Sequence, residues 1–259
     1  MASGKEIEHS STAFSDVLYA AARLPGVRID RAAYLRSALK RYCTSEQIEQ
    51  AIAQTPAAVG IPSEVIRKAA STSIQFETAK ATSLSAAAGV PGGLAMAGTI
   101  PADLAQYFGH IIRITQKLAY LYSWPELFGD DEELDEATAG VLTLFIGVMV
   151  GVQSAQTGIT KVSSMIAGQI TKKLPQKALT KGFLYPTVKK VATLLGARMT
   201  KQIFANSIAK TVPVIGALTS GGLTYVTFRP MAKRLENHLS SLELTRQPVI
   251  EPDGTTHQP

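Results

Sequence analysis

Residues 81–124 read ATSLSAAAGVPGGLAMAGTIPADLAQYFGHIIRITQKLAYLYSW, and this stretch decides the fold class. Its first part carries no charge, is rich in Ala, Gly and Ser, and is interrupted by a Gly-Val-Pro-Gly-Gly turn at 89–93. Small side chains let neighbouring helices approach closely. Pro101 suits the first turn of a long helix, because its missing N–H would have no helical partner there. The stretch therefore predicts closely packed helices.

The helix that begins at Pro101 carries a polar stripe. At about 100° per residue, five polar side chains fall within an arc of roughly 80°, and apolar side chains cover the opposite side. The stripe is a candidate groove for a small ligand or a lipid headgroup, and a solvated or cross-paired helix face is the alternative. Asp103 and His110 lie about 10.5 Å apart along the helix axis, which is too far for both to bind one metal ion readily. The stripe alone therefore predicts no metal site. The stripe consists of Asp103, Gln106, His110, Arg113 and Lys117.

Composition favours a dry helical core or contact with a membrane. Of the 259 residues, 46% are hydrophobic and only 18% are charged, and the mean hydropathy is +0.11. The single cysteine, Cys43, excludes an intramolecular disulfide and fits a reducing compartment. The first sixteen residues are mostly polar and do not resemble a secretory signal. These features predict residence in the cytoplasm, with a peripheral position at the inner face of the cell membrane as the open alternative.

The net charge of +6 is unevenly distributed along the chain. Seven acidic residues lie within 126–136, whereas 160–235 contains thirteen Lys or Arg and no acidic residue. Such a basic segment attracts anionic lipid headgroups or nucleic acid phosphates, unless it pairs with the acidic segment. Few aromatic residues and no recognition motif count against specific nucleic acid binding. The candidate basic face consists of Lys172, Lys173, Lys177, Lys181, Lys189, Lys190, Arg198 and Lys201.

The pattern predicts an all-α fold, because no stretch shows the sustained alternation of a half-buried strand. We expect a single compact multi-helix domain of about seven to nine helices with Gly/Ala-rich close packing. Residues 1–60 are predicted to form an N-terminal helical extension that packs on the main body, 61–244. Within it, Asp30 is expected to cap a helix through about residue 42, and Thr44-Ser45-Glu46-Gln47 is a capping-box pattern for a helix over 45–54. The proline and polar content of 245–259 predicts a disordered tail.

Two long helices are expected within the main body. The first covers 64–88, where Glu77 and Lys80 form a modest surface pair at i,i+3. The second begins near residue 132, within the acidic segment, and continues to about residue 173. Its densest apolar run, 141–152, is shorter than the roughly 20 residues of a membrane span. A buried core helix is therefore favoured over a marginal or conditional span.

Glycines mark the places where close approach is expected. Gly147 and Gly151 form a G-x-x-x-G face on the second long helix. The uncharged segment 211–228 is predicted to form two short helices, followed by a final amphipathic helix at 231–244. The candidate close-packing positions are Gly89, Pro91, Gly92, Gly93, Gly147, Gly151, Gly216, Gly221 and Gly222.

The common catalytic motifs are missing from the sequence. There is no G-x-x-x-x-G-K-[ST] phosphate loop, no G-x-S-x-G nucleophile elbow, no H-E-x-x-H and no C-x-x-C pair. We therefore expect neither a cofactor nor a metal, and a non-enzymatic function is favoured over an enzymatic one.

The order of segments resembles a known family. Five successive segments are similar to the EcsC family of bacterial proteins. They are GVPGG, TIPADLAQYFGHIIRITQKLAYLYSWPEL, a charged break, a glycine-rich apolar helix and VPVIGALTSGGLTYVTFRPMAKRLENHL. The resemblance covers roughly residues 60–240, and its most specific parts are 101–103 with the helix behind it and 212–216 with the following Gly221-Gly222. It implies a bacterial, α-helical protein linked to membrane or transport systems, without an established catalytic activity.

Three functions stay open at this point. The first is a membrane-associated accessory or effector protein whose basic half contacts anionic lipid, while its apolar helices pack or conditionally insert. The second is a ligand-binding protein or enzyme that uses the polar groove on the 101–123 helix. The third is a soluble interaction module that binds an acidic protein partner.

Overall fold

The computed structural model describes residues 4–88, 102–129, 134–168, 173–209 and 215–246. Within these ranges the chain forms ten α-helices and one 3-10 turn, and it forms no strand. The predicted all-α class and single compact arrangement are confirmed. Nine of the helices have seven or more residues, and the tenth has five.

The helices occur in the following order along the chain. They are α1 (Gly4–Ala22), α2 (Arg31–Leu39), α3 (Ser45–Ala53), α4 (Ser63–Ala88), α5 (Ala102–Leu121), α6 (Glu136–Met149), α7 (Gln153–Ala167), α8 (Gln176–Thr180), α9 (Tyr185–Ala209) and α10 (Ile215–Ser240), followed by the 3-10 turn Glu243–Thr245.

Local sequence determines where the short N-terminal helices begin. The Asp30 carboxylate accepts a hydrogen bond from the backbone N–H of Ala33 at 2.6 Å and caps α2. Thr44 and Gln47 form a reciprocal capping box at the start of α3, as the sequence predicts. Helix α1 packs against α5 and α9, so the N-terminal helices share one core with the main body.

Helix α6 occupies the middle of the molecule, in contact with α5, α7, α8, α9 and α10. Twelve of its fourteen residues are buried. A helix that is covered on all sides must be apolar on all sides, which explains the dense apolar run of its sequence. Trp124, fully buried at the end of α5, packs edge-on against Phe145 of α6, with 4.7 Å between ring centroids.

A left-handed residue ends α5 and turns Trp124 into the core. Ser123 has a φ of 67°, and its N–H donates to the carbonyl of Tyr120 at 3.3 Å. The N–H of Trp124 donates to the carbonyl of Ala119 at 3.0 Å. These two bonds make a Schellman motif, which satisfies carbonyls at a helix end. The helix therefore ends within two residues of its expected limit at 123.

The predicted second long helix is broken, which corrects the sequence analysis. Helix α6 ends at Met149 and α7 begins at Gln153. Between them Gly151 has a φ of 81°, a conformation that residues with a Cβ rarely adopt. Gly147 and Gly151 therefore do not share a helical face, because Gly151 turns the chain instead of continuing the helix. Helix α7 also ends at Ala167, before the predicted limit.

The segments predicted as separate C-terminal helices form one continuous helix. The structure shows one helix, α10, where two short helices and a separate final helix were predicted. Pro230 lies inside it, although proline removes a helical hydrogen bond. The apolar face continues across this proline, because Phe228, Ala232, Leu235 and Leu239 are all fully buried. Gly216, Gly221 and Gly222 lie within α10, whereas Gly89, Pro91, Gly92, Gly93 and most of the predicted tail lie outside the described residues.

Gly147 lies where α6 comes closest to α7 and α9. A Cβ at this position would lie 2.6 Å from the Cβ of Ala155 and 2.6 Å from Cγ1 of Val191. Both distances are far below van der Waals contact, so the two neighbouring helices could not keep their present positions. The packing of α6 against α7 and α9 therefore depends on the absence of a side chain at Gly147.

We expect Gly147→Ala to lower the free energy of unfolding by about 1–3 kcal/mol, because it overpacks the core. Gly140→Ala is the matched control in the same helix, since the nearest atoms to its new Cβ lie 3.7 Å away on Leu179 and Val188. This control should be neutral or gain up to about 1 kcal/mol from helix propensity. Urea denaturation measures both changes. Equal effects of the two substitutions would contradict the close-packing role of Gly147.

Candidate functional site

Three residues of the polar stripe meet on one buried carboxylate. Glu77 of α4 is fully buried, and its Oε1 accepts hydrogen bonds from Nζ of Lys117 at 2.7 Å and from Nε of Arg113 at 3.2 Å. Its Oε2 pairs with Nδ1 of His110 at 3.0 Å. We call Glu77, His110, Arg113 and Lys117 the Glu77 cluster. The prediction that Glu77 and Lys80 form a surface pair is wrong, because the Glu77 side chain points into the α4–α5 contact.

The neighbours of Glu77 keep it ionised despite burial. Burial, the largest single influence, raises the pKa of the carboxyl. The hydrogen bonds from His110 and Lys117, together with the charges of Lys117 and Arg113, outweigh it and lower the pKa to about 2. An ionised buried carboxylate needs such compensation, because the cost of removing it from water is large. Since the carboxylate can only accept, Nδ1 of His110 carries the proton of their hydrogen bond.

The Glu77 cluster also fixes the N-terminal helices. Arg113 donates to the carbonyl oxygen of Gly26 in the connection between α1 and α2. Nζ of Lys117 lies 5.6 Å from the ring centroid of Tyr34 on α2 and 5.1 Å from that of Phe76 on α4. Two aromatic faces therefore cover the ammonium group. Helices α2, α4 and α5 and the α1–α2 connection all meet at this cluster.

Of the two remaining stripe residues, Gln106 alone has a described side chain. Gln106 is exposed, and the side chain of Asp103 lies outside the described part of the structure. Gln116, which the stripe does not include, is fully buried and accepts from the N–H of Ile29 at 2.9 Å while donating to the carbonyl of Val27 at 2.8 Å. The described stripe is a helix face that is cross-linked to other elements, and its use for a ligand stays a prediction.

A separate cavity of about 200 Å³ lies between the start of α4 and the ends of α5 and α10. Its lining includes Ile66, Arg67, Leu121 and Tyr122, and it includes no residue of the stripe. Pockets for drug-sized ligands have volumes of about 300–1,000 Å³. This cavity therefore gives little support to a ligand-binding function, and none to one that uses the stripe.

We expect Glu77→Gln to lower the free energy of unfolding at neutral pH by about 3–5 kcal/mol, because it leaves Arg113 and Lys117 without a compensating charge. The folded pKa of about 2 lies below the ordinary value of 4.5, so the contribution of the carboxylate is complete above about pH 4.5. It is lost as the pH falls toward 2. Thermal melts of both proteins across this range should therefore converge at acid pH.

The control for this prediction is Glu49→Gln. Glu49 forms an exposed ion pair with Arg36 at 2.6 Å, and exposed pairs contribute little to stability. This variant should melt like the wild type at neutral pH. If Glu77→Gln also melts like the wild type, or if its deficit does not shrink on acidification, the Glu77 cluster does not hold α4 and α5 together.

The predicted basic face is largely exposed. Side chains are described for six of its eight members, and all six are exposed: Lys173, Lys177, Lys181, Lys189, Lys190 and Arg198. Lys172 lies outside the described residues, as does the side chain of Lys201. Arg198 differs from the lysines, because its Nη1 donates to the carbonyl of Val150 at 3.0 Å and so ties α9 to the α6–α7 turn.

Two aromatic rings lie among these lysines. The side chain of Phe183 is 59% exposed, and Nζ of Lys161 lies 5.6 Å from its ring centroid. Tyr185 is half-buried, and Nζ of Lys189 lies 5.5 Å from its ring centroid. Lys181 is exposed two residues before Phe183. We call Lys161, Lys181, Phe183, Tyr185 and Lys189 the aromatic–lysine patch.

Backbone hydrogen bonds hold the α8–α9 turn that carries the patch. The N–H of Leu184 donates to the carbonyl of Ala178 at 3.1 Å, and the N–H of Tyr185 donates to the carbonyl of Gly182 at 3.1 Å. A Cβ at Gly182 would lie 2.8 Å from Cα of Ala178, so the turn packs tightly on α8. Leu184 is buried beside the exposed Phe183. The turn is therefore a fixed platform for the exposed ring.

Sequence reasoning missed Glu77 and Phe183 for different reasons. Glu77 lies at a buried position of the α4 pattern, three residues after Ile74 and four before Ala81, and this spacing could have placed it inward. The stripe also offered a signal, because three basic or histidine residues on one face need an acidic partner. Phe183 lies in a turn between short helices, where no periodicity indicates the direction of a side chain.

The described residues include neither a candidate metal site nor a helix that could span a membrane. Within the described ranges, no group of three or more His, Cys, Asp or Glu side chains is placed to hold a metal ion. Among the helices of the described part, none combines the length and the apolar character needed to cross a membrane. Comparison with known protein families, curated proteins and solved structures gives no match to this chain.

Proposed function

We propose that this chain is a non-enzymatic accessory protein of the EcsC family that binds peripherally to anionic membrane surfaces through α7, α8 and α9. The observation that carries the proposal is the exposed positive charge of a segment that contains no acidic residue of its own. No acidic residue occurs between Glu136 and Glu236, while the described lysines of this region are exposed. Each Lys or Arg near an anionic bilayer contributes about 1 kcal/mol of attraction.

Two described acids of the 126–136 segment, Glu126 and Asp135, do not pair with the lysines of α7–α9. Glu126 accepts from the Tyr120 hydroxyl at 2.6 Å and from the N–H of Arg31 at 3.3 Å, both outside α7–α9. Asp135 caps α6 by accepting from the N–H groups of Ala137 and Thr138, each at 2.9 Å. Glu126 and Asp135 therefore bind groups outside α7–α9. This supports an external anionic partner for the basic face.

Cations in the N-terminal half are used differently. Arg36 pairs with Glu49 at 2.6 Å, and Lys68 pairs with Glu64 at 2.8 Å. Such pairs cancel charge locally and leave little net potential. The contrast favours α7–α9 as the surface that faces an anionic partner, with the cytoplasmic face of the cell membrane as the proposed location. The apolar helix α6 need not insert, since the neighbouring helices already bury it.

We expect the protein to sediment with vesicles of phosphatidylcholine and phosphatidylglycerol, but not with phosphatidylcholine alone, and we expect added salt to weaken binding. The combined variant Lys177→Glu, Lys189→Glu and Lys190→Glu should lose at least roughly a hundredfold in affinity, at about 1 kcal/mol for each lost lysine. These side chains are exposed, so the melting temperature should stay near that of the wild type.

The matched control changes the same net charge on the other half of the molecule. It is Lys40→Glu, Arg41→Glu and Arg67→Glu, all at exposed positions. If both triple variants lose binding equally, overall charge rather than α7–α9 causes the attraction. Equal binding of the wild type to neutral and anionic vesicles would remove the electrostatic basis of the proposal.

A further inference from the structure

We infer that Phe183 is the membrane anchor of this surface, and that its ring enters the boundary between headgroups and acyl chains while the neighbouring lysines stay at the phosphates. This inference rests on the proposed function and adds an apolar component to it. It assigns the aromatic–lysine patch as the point of lipid contact.

The inference rests first on the exposure of Phe183. Its side chain is the most exposed large hydrophobic one among the described residues, at 59%. Leaving a phenylalanine ring in water forgoes much of the free energy that its burial would release. Phe76, the next most exposed at 50%, has two ammonium groups over its ring, Lys80 at 4.8 Å and Lys117 at 5.1 Å, and lies beside the Glu77 cluster. Phe76 therefore has a role within the fold, whereas most of the Phe183 ring is free to contact a partner.

The inference rests second on the rigidity of the α8–α9 turn. Leu184 is buried next to Phe183, and the backbone bonds from Leu184 to Ala178 and from Tyr185 to Gly182 fix the chain on both sides. A ring that is held outward before binding loses little conformational freedom on insertion. A flexible loop would offset part of the same apolar gain by becoming ordered.

The surrounding groups favour lipid over other anionic partners. Lysine side chains have apolar stems and can extend toward the aqueous side of a bilayer. Their ammonium groups can therefore bind lipid phosphates while a neighbouring ring lies closer to the acyl chains. Tyr185 adds a ring with a polar hydroxyl, a residue type enriched at membrane interfaces. Nucleic acid binding by stacking uses several aromatic faces along a groove. The patch instead presents one largely exposed ring at a turn, which suits insertion into a bilayer surface.

Phe183→Trp tests the inference directly. Trp124 is the only native tryptophan and is fully buried, so it gives a constant background signal. With vesicles of phosphatidylcholine and phosphatidylglycerol, the new indole should shift its emission to the blue and be quenched by lipids brominated on their acyl chains. Tyr42→Trp is the control, since Tyr42 is also exposed, at 42%, but lies between α2 and α3. Its indole should show neither change.

A second variant separates the anchor from the charge. Phe183→Ala should still sediment with these vesicles at low salt but bind roughly tenfold more weakly, as expected for a partly buried ring. It should also lose the part of wild-type binding that resists high salt. If Phe183→Trp sediments with the vesicles without quenching, the inference fails and the proposed function stands. If the wild type does not sediment with them, both fail, and binding to RNA or to an acidic protein in its place would assign the patch to that partner.

Discussion

The fold depends on one buried carboxylate. Glu77 lies inside the contact between α4 and α5, and the side chains of His110, Arg113 and Lys117 surround it. Removing such a group from water costs several kcal/mol, so the structure is acceptable only while all of these partners are in place. Buried polar groups can specify one packing arrangement over others. Because Glu77 of α4 must meet three side chains of α5, we infer that the cluster helps to select the register of α4 against α5.

That selection reaches beyond two helices. Arg113 extends the network to the carbonyl of Gly26, and the ring of Tyr34 covers Lys117. The connection before α2 is further held by Gln116, which accepts from Ile29 and donates to Val27. Polar contacts thus organise the N-terminal half, where acids and bases alternate along the chain. The C-terminal half contains no acid between Glu136 and Glu236, so apolar packing and hydrogen bonds to backbone carbonyls, such as that of Arg198 to Val150, organise it instead.

Sequence patterns predicted what local chemistry determines. The start of α2 at Asp30 and the capping box of Thr44 and Gln47 depend on residues within one helical turn, and the structure confirms both. The break at Gly151 could not be predicted in the same way, since a glycine in an apolar run is compatible with a helix or with a turn. At Pro230 the helix continues, although proline usually ends a helix. The buried apolar face of α10 extends to both sides of this residue.

The candidate site was predictable only in part, because its members are brought together by packing. Lys181 and Lys189 were recognised from the acid-free segment, but Lys161 was not, because its position beside Phe183 depends on how α7 meets the start of α9. Gly158 of α7 lies at that meeting point: a Cβ there would lie 3.1 Å from Leu144 on α6 and 3.6 Å from Thr187 on α9. Lys161 follows Gly158 by three residues, and Phe183 precedes Thr187 by four. A larger side chain at Gly158 would separate α7 from α6 and α9, and Lys161 would move away from the ring. The small residues that define this fold thereby also set the geometry of its exposed basic surface.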